Sequence, residues 1–339
     1  MKKLIFFGAI SAAVLFTATF VACNSTEEPM IEDISSTTTL QSADFDIFMA
    51  SVDSLNNAYF SVSRAAVSED GSNPTLIKDE RWSKQDIVNY ADQAGSLIGG
   101  TLGTAAGYIA GASTSGLASG VLGFLGGHLG DIVYSHLYSA VAKLVTRCEI
   151  VNPGFNSSIT HHENSSEYTY LDSIGVRHNR LMQRMAQYDK KYRSITPNNR
   201  ILLNKFYDDF IKELNATYPE VGGFIISSEE KERILESCSS VLSIGEKYLN
   251  KKGGKKLFIE EVSDLMVKKY KVPAKNVKIF KEFAVSVTNQ MDKIDESNID
   301  RYANDLDQVI QESNIDGDEK AAIINMGQIA VNSNICWKK

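Results

Sequence analysis

"GSLIGGTLGTAAGYIAG", residues 95–111, sets a glycine at every fourth position: Gly95, Gly99, Gly103, Gly107 and Gly111. A glycine inside a helix costs about 1 kcal/mol relative to alanine, so five at the helical repeat must be offset by something that local propensity does not supply. Close backbone approach supplies it, because glycines four apart leave a smooth groove for a second helix. After "ASTS" the spacing resumes at Gly116, Gly120, Gly123, Gly127 and Gly130. Residues 95–130 hold 12 of the 23 glycines and no Asp, Glu, Lys or Arg, which sets them apart from the rest of the chain. The two runs predict an antiparallel helical hairpin over about residues 92–131, turning at Ala112–Ser115.

Length bears on where such a hairpin sits. Seventeen residues of helix from Gly95 to Gly111 measure about 25 Å, and the second arm about 22 Å, whereas a hydrocarbon core is about 30 Å thick. Three placements follow: burial inside the protein, insertion of residues 95–130 as a membrane contact, or self-association through the ladder. Asp92 and Asp131, at the open end, are expected to stay in water. The segment resembles the glycine-zipper hairpins of bacterial outer-membrane lipoproteins and of small membrane-active peptides. That resemblance implies a packing device and no particular activity.

The N-terminus indicates a compartment. Lys2 and Lys3 precede an uncharged apolar run from Leu4 to Val21, followed by Ala22 and Cys23, the layout of a signal peptide over 1–22. "FVAC" resembles the lipobox of bacterial lipoproteins, although Phe20 stands where leucine is usual. The resemblance implies cleavage before Cys23 and lipidation of that residue, palmitate included. Residues 23–42 are acidic and rich in Ser and Thr, a composition that cannot bury enough apolar surface to fold, and read as a tether. Glu27 and Glu28 resemble the export signal of Bacteroidota-type surface lipoproteins, which implies outer-membrane attachment facing the cell surface.

Removing the signal leaves 33 basic against 42 acidic residues, which excludes a general nucleic-acid binder. Elsewhere the periodicity is helical. Ser83 and Asp86 form a capping box before the ladder. Thr196 and Pro197 are expected to start a helix whose core face carries Ile201, Leu202, Phe206, Phe210, Ile211 and Leu214. Further helices are predicted over 227–249, 258–270, 273–291, 299–311 and 318–331, and the best strand candidate is 149–151. The fold class is therefore all-α: an N-terminal helical part over 43–151, a polar linker over 152–170, and a C-terminal helical domain over 171–339. The two helical parts can also pack as one unit.

Few residues suggest chemistry. His161, His162 and Glu163 lack the spaced second ligand pair of a zincin, and "DGDEK" at 316–320 misplaces the glycine of a calcium loop, so no metal, cofactor or catalytic residue is assigned and the chain is read as non-enzymatic. Eleven lysines between Lys247 and Lys281 face three acids, while ten acids between Asp292 and Glu319 face two basic residues. The lysine block is either matched against the acidic one or offered to an anionic glycan. Asp53-Ser54-Leu55 and Asp172-Ser173-Ile174 resemble the Asp-Ser/Thr-hydrophobic acceptor of Bacteroidota O-glycosylation, which implies Ser54 and Ser173 as modified residues. "DSIGVRHNRLM", 172–182, and the C-terminal "DGDEKAAIINMGQIAVNSNICW" resemble segments of Bacteroidota lipoproteins that bring no known activity. His178 and Asn179 either join helices or form a binding site. Any pairing among Cys148, Cys238 and Cys336 is left open.

The resulting expectation is an envelope lipoprotein that acts as an interaction or structural protein. The alternative is an antagonistic, bacteriocin-like effector that inserts its glycine hairpin in a target bilayer.

Overall fold

Ser83 starts the central helix as its sequence predicts. Its Oγ accepts from the backbone N–H of Asp86 at 3.0 Å, and its own N–H donates to the Asp86 carboxylate at 2.9 Å, so two N-terminal donors are satisfied reciprocally. The computed structural model describes residues 34–60, 82–106, 109–111, 119–150, 174–290, 297–315 and 317–337. In chain order the elements are α1 (Ile34–Phe60), α2 (Lys84–Ala106), β1 (Ile109–Gly111), α3 (Ser119–Thr146), α4 (Ile174–Met185), α5 (Arg200–Thr217), β2 (Phe224–Ile226), α6 (Ser228–Tyr248), α7 (Gly254–Lys268), α8 (Ala274–Ile279), α9 (Val285–Thr288), α10 (Ile299–Glu312) and α11 (Gly317–Trp337). A π-turn, Phe280–Ala284, joins α8 to α9. The fold is all-α.

α2 and α3 run antiparallel and pack backbone to backbone. A Cβ placed on Gly95 would lie 2.9 Å from Ser135 Cα, and one on Gly99 would lie 2.4 Å from the Gly130 carbonyl oxygen. Real Cβ atoms do not approach this closely, so glycine at these two positions is what lets the helices meet. The pair forms the centre of the core. Ile87, Val88, Ala91, Ala94, Ile98, Ile132, Val133, Leu137 and Val141 are all buried, and α4, α6 and α11 pack on the pair.

The ladder does not stay helical to its end. α2 stops at Ala106, and Ile109–Gly111 pairs antiparallel with β2, Gly111 opposite Phe224 and Ile109 opposite Ile226. Gly111 is therefore a strand residue and not part of the helical arm. Gly120, Gly123 and Gly127 fall within α3, Gly103 within α2, and Gly107 and Gly116 lie outside the described residues. The extended segment at the turn ties the hairpin to the loop after α5, a cross-chain pairing that a glycine period cannot announce.

Other expectations shift at their edges. α1 begins at Ile34, so residues 34–42 of the expected tether are helical. α5 is capped by Asn199, whose side chain accepts from Leu202 N–H at 3.1 Å, three residues beyond Thr196. The later start leaves Ile201 71% exposed and buries Leu203 and Tyr207 instead. α6 starts at Ser227 as expected, with Ser227 Oγ accepting from Glu230 N–H. Residues 148–150 are irregular. Residues 41–339 form one compact unit; the linker, 152–170, lies outside the described residues.

Candidate functional site

Helix α2 carries a polar stripe between its apolar positions: Asn89, Asp92, Gln93 and Ser96 are all buried. α3 carries a matching one in Asp131, Ser135, His136, Ser139 and Lys143. Buried polar groups are costly unless hydrogen-bonded, and here the partners come from the surrounding helices. Gln93 Nε2 donates to Thr288 Oγ1 at 2.7 Å, Tyr134 OH to Glu230 at 2.5 Å, and Lys143 Nζ to both oxygens of Asp189 at 2.6 Å. Asp92 and Asp131, expected in water, are instead among the most enclosed groups. The hairpin begins nearly three turns before Gly95 on the α2 side and continues past Gly130 to Thr146, so its open end is not at these residues.

The densest part of the network joins α2, α3, α4 and α11. Asp92 Oδ2 accepts from Ser333 Oγ at 2.7 Å, and Asp92 Oδ1 faces His178 Nε2 at 3.4 Å, with both side chains inaccessible to solvent. Trp337 Nε1 donates to Ser333 Oγ at 2.8 Å. Asn179 Nδ2 donates to the Asn332 carbonyl at 2.9 Å, and a Cβ on Gly175 would fall 2.5 Å from the Gln328 carbonyl. α4 thus lies on α11 through a glycine contact and one interhelical bond. His136 completes the group: its Nε2 pairs with Tyr218 OH at 2.8 Å, and its ring stands edge-on to that of His178, centroids 5.0 Å apart.

Ser, His and Asp meet here, but not in a hydrolytic order. Nucleophilic activation requires the serine hydroxyl on the imidazole, whereas Ser333 is bonded to the carboxylate, which stands between it and His178. The arrangement binds helices together. His178 and Asn179, singled out in the sequence, stand in that arrangement; His136, Ser333 and Tyr218 carried no sequence signal beyond lying among apolar positions, and the signal at Asp92 pointed to solvent.

Burial sets the charge states. The Asp131 carboxyl is pushed up to about 8 by burial, partly opposed by donors from Asn325 and the Gly100 backbone. Burial and the neighbouring His178 hold His136 well below the usual imidazole range. A carboxyl raised on folding contributes stability that is complete below about pH 4 and is lost as pH rises through its folded value. His136, lowered on folding, instead loses stability as pH falls below about 6.5. Between pH 6.5 and 8 only Asp131 of the two acts, so the urea midpoint of the wild type should fall as pH rises through this window. The slope approaches about 1.4 kcal/mol per pH unit. Asp131→Asn should flatten it, and an unchanged slope would refute the assignment.

The remaining expected sites fall as follows. Ser54 is exposed on α1, and Cys23, Ser173, His161, His162 and Glu163 lie outside the described residues. Cys148, Cys238 and Cys336 form no disulfide with one another. Lys247, Lys256, Lys268, Lys269 and Lys278 pair with Glu261, Glu260, Asp264, Glu236 and Asp46. Their partners lie on α1, α6 and α7 and not in the acidic block, each exposed pair adding little. Among the described residues no group of His, Cys, Asp and Glu is arranged to hold a metal ion, and no helix is long and apolar enough to cross a membrane. Comparison with models of protein families, with curated proteins and with solved structures finds no match to this chain.

Proposed function

We propose that this chain is a lipid-anchored envelope protein, attached through Cys23 at the outer membrane and facing the cell surface, that acts through binding and not through catalysis. The observation that carries the structural half is the seating of the hairpin. Its polar positions on α2 and α3 are bonded into α6, α9 and α11, through Asp92–Ser333, Gln93–Thr288, Tyr134–Glu230 and Asp131–Asn325. Carrying these groups into hydrocarbon would leave each without its partner, at several kcal/mol apiece, so the glycine pair serves the body as its core. The envelope half rests on "FVAC" and the acidic residues that follow it. Cys23→Ala should abolish incorporation of labelled palmitate and release the protein from membranes, while protease added to intact cells should digest the wild type. Palmitate labelling that survives Cys23→Ala would refute the anchor.

One observation favours the effector reading: residues 93–130 carry no Asp, Glu, Lys or Arg, and α4, α6 and α11 pack on the α2–α3 pair. Dye release from liposomes separates the two. The proposal expects none from the folded protein, and leakage from it would favour the effector. An anionic glycan at Lys247–Lys281 is the partner class the exposed lysines suggest, and reversal of Lys251, Lys252, Lys255 and Lys256 to glutamate should abolish retention on an anionic polysaccharide.

A further inference from the structure

We propose that α4 is an acid-released strap over the α2–α3 pair, operated by its own His178 and by His136 of α3 beneath it. The proposal rests on the number of charges the pocket can balance. His136 and His178 stand 5.0 Å apart, both wholly buried, and the carboxylate facing them is Asp92, at 3.4 Å from His178 Nε2. Asp92 can offset one imidazolium. A second, on His136, would meet a like charge across the T-shaped contact, the neutral hydroxyl of Tyr218 on its Nε2, and no partner on its buried Nδ1. Buried charge without a counter-charge is strongly unfavourable.

The groups around the pair do not relieve this. From α11 it meets Ser333, which is neutral, while the Cys336 thiol is pushed up by burial and by Asp92. On α3, Lys143 is already committed to Asp189, and Asp131 is directed toward Asn325 and Gly100. On α4 itself, Arg177 adds positive charge over the Tyr218 ring and is paired with Glu220, and Arg184 is paired with Glu213. The closed strap therefore denies His136 a proton that the open strap, with that ring in water, accepts. Because Asp131 keeps its surroundings when α4 alone lifts, it does not oppose the transition.

α4 is a single short element: it is 12 residues long and packs on α11, α3 and α5, with the Gly175 contact and the Asn179–Asn332 bond among its ties to α11. One extra proton in the open form multiplies the opening equilibrium up to tenfold per pH unit below about pH 6.5. Lifting α4 would bare Ile174, Leu181, Met182 and Met185 together with the hairpin face beneath.

Amide exchange of the full chain, corrected for the intrinsic effect of pH, tests this. Protection of residues 174–185 should fall at least tenfold between pH 7 and pH 5 while that of α7 holds, and His136→Gln should keep α4 protected at pH 5. A flat wild-type profile, or an equal fall in His136→Gln, overturns the strap. If His136→Gln does not fold, side-chain nitrogen NMR of the wild type decides: protonation of His136 together with loss of α4 protection supports the proposal, and protonation with α4 still protected overturns it.

Discussion

Gly99→Ala is expected to destabilise the protein by about 3 kcal/mol or more, the upper end of overpacking costs. The added methyl would sit 2.4 Å from the Gly130 carbonyl oxygen, 2.7 Å from its carbon and 2.8 Å from Tyr134 Cβ. Two of these are backbone atoms of α3, so no rotamer change relieves the contact and the two helices must separate along the seam. Gly99→Leu should fail to fold. Gly253→Ala is the matched control, because it has nothing within 4 Å of the new methyl and only a positive φ of 66° to resist it; its cost should stay near 1–2 kcal/mol. Urea midpoints at constant m measure both. A Gly99→Ala variant within 0.5 kcal/mol of wild type would mean that the seam is not close-packed.

Asp92→Ala should be nearly as damaging, about 3–5 kcal/mol, the range for removing one partner of a buried pair. The loss is compound: Ser333 Oγ gives up the closer of its two acceptors, keeping Asn89 Oδ1 at 3.3 Å, and His178 Nε2 its facing carboxylate, so α4 and α11 are loosened from α2 together. Asp92→Asn keeps the shape and one acceptor oxygen and should recover a substantial part of that loss. Equal stability of the alanine and asparagine variants would show that the network contributes by filling space and not by its hydrogen bonds.

The sequence made the glycine seam legible because its signal is a period, and a period of four has one economical explanation, close helix contact. Its limit was equally physical. Gly107 and Gly111 continue the spacing, but the backbone at 109–111 finds hydrogen-bond partners in Phe224–Ile226, and glycine resists extended structure no more than helix. Capping at Ser83 and Ser227 was readable for the same local reason, while the later start of α5 was hidden because Asn199 competes with Thr196 as an equally good cap. The polar network was the least legible part. Asp92 and Asp131 read as solvent markers because a lone carboxylate flanking an apolar run commonly is one. What reverses that reading is Ser333, 241 residues from Asp92, and Asn325, 194 residues from Asp131, and no local pattern links residues so far apart. His178 and Asn179 stood out as an unusual string, yet their role became definite only with α11 beside them.

The glycine-packed α2–α3 pair is the fixed core of this protein. Amide exchange of the full chain, measured with and without vesicles of anionic and neutral phospholipid, tests this. The account predicts that residues 87–98 and 129–142 exchange slowest of all, near the rate of global unfolding, and that vesicles leave their protection unchanged. Loss of that protection on adding vesicles, with the surrounding helices still folded, would contradict it.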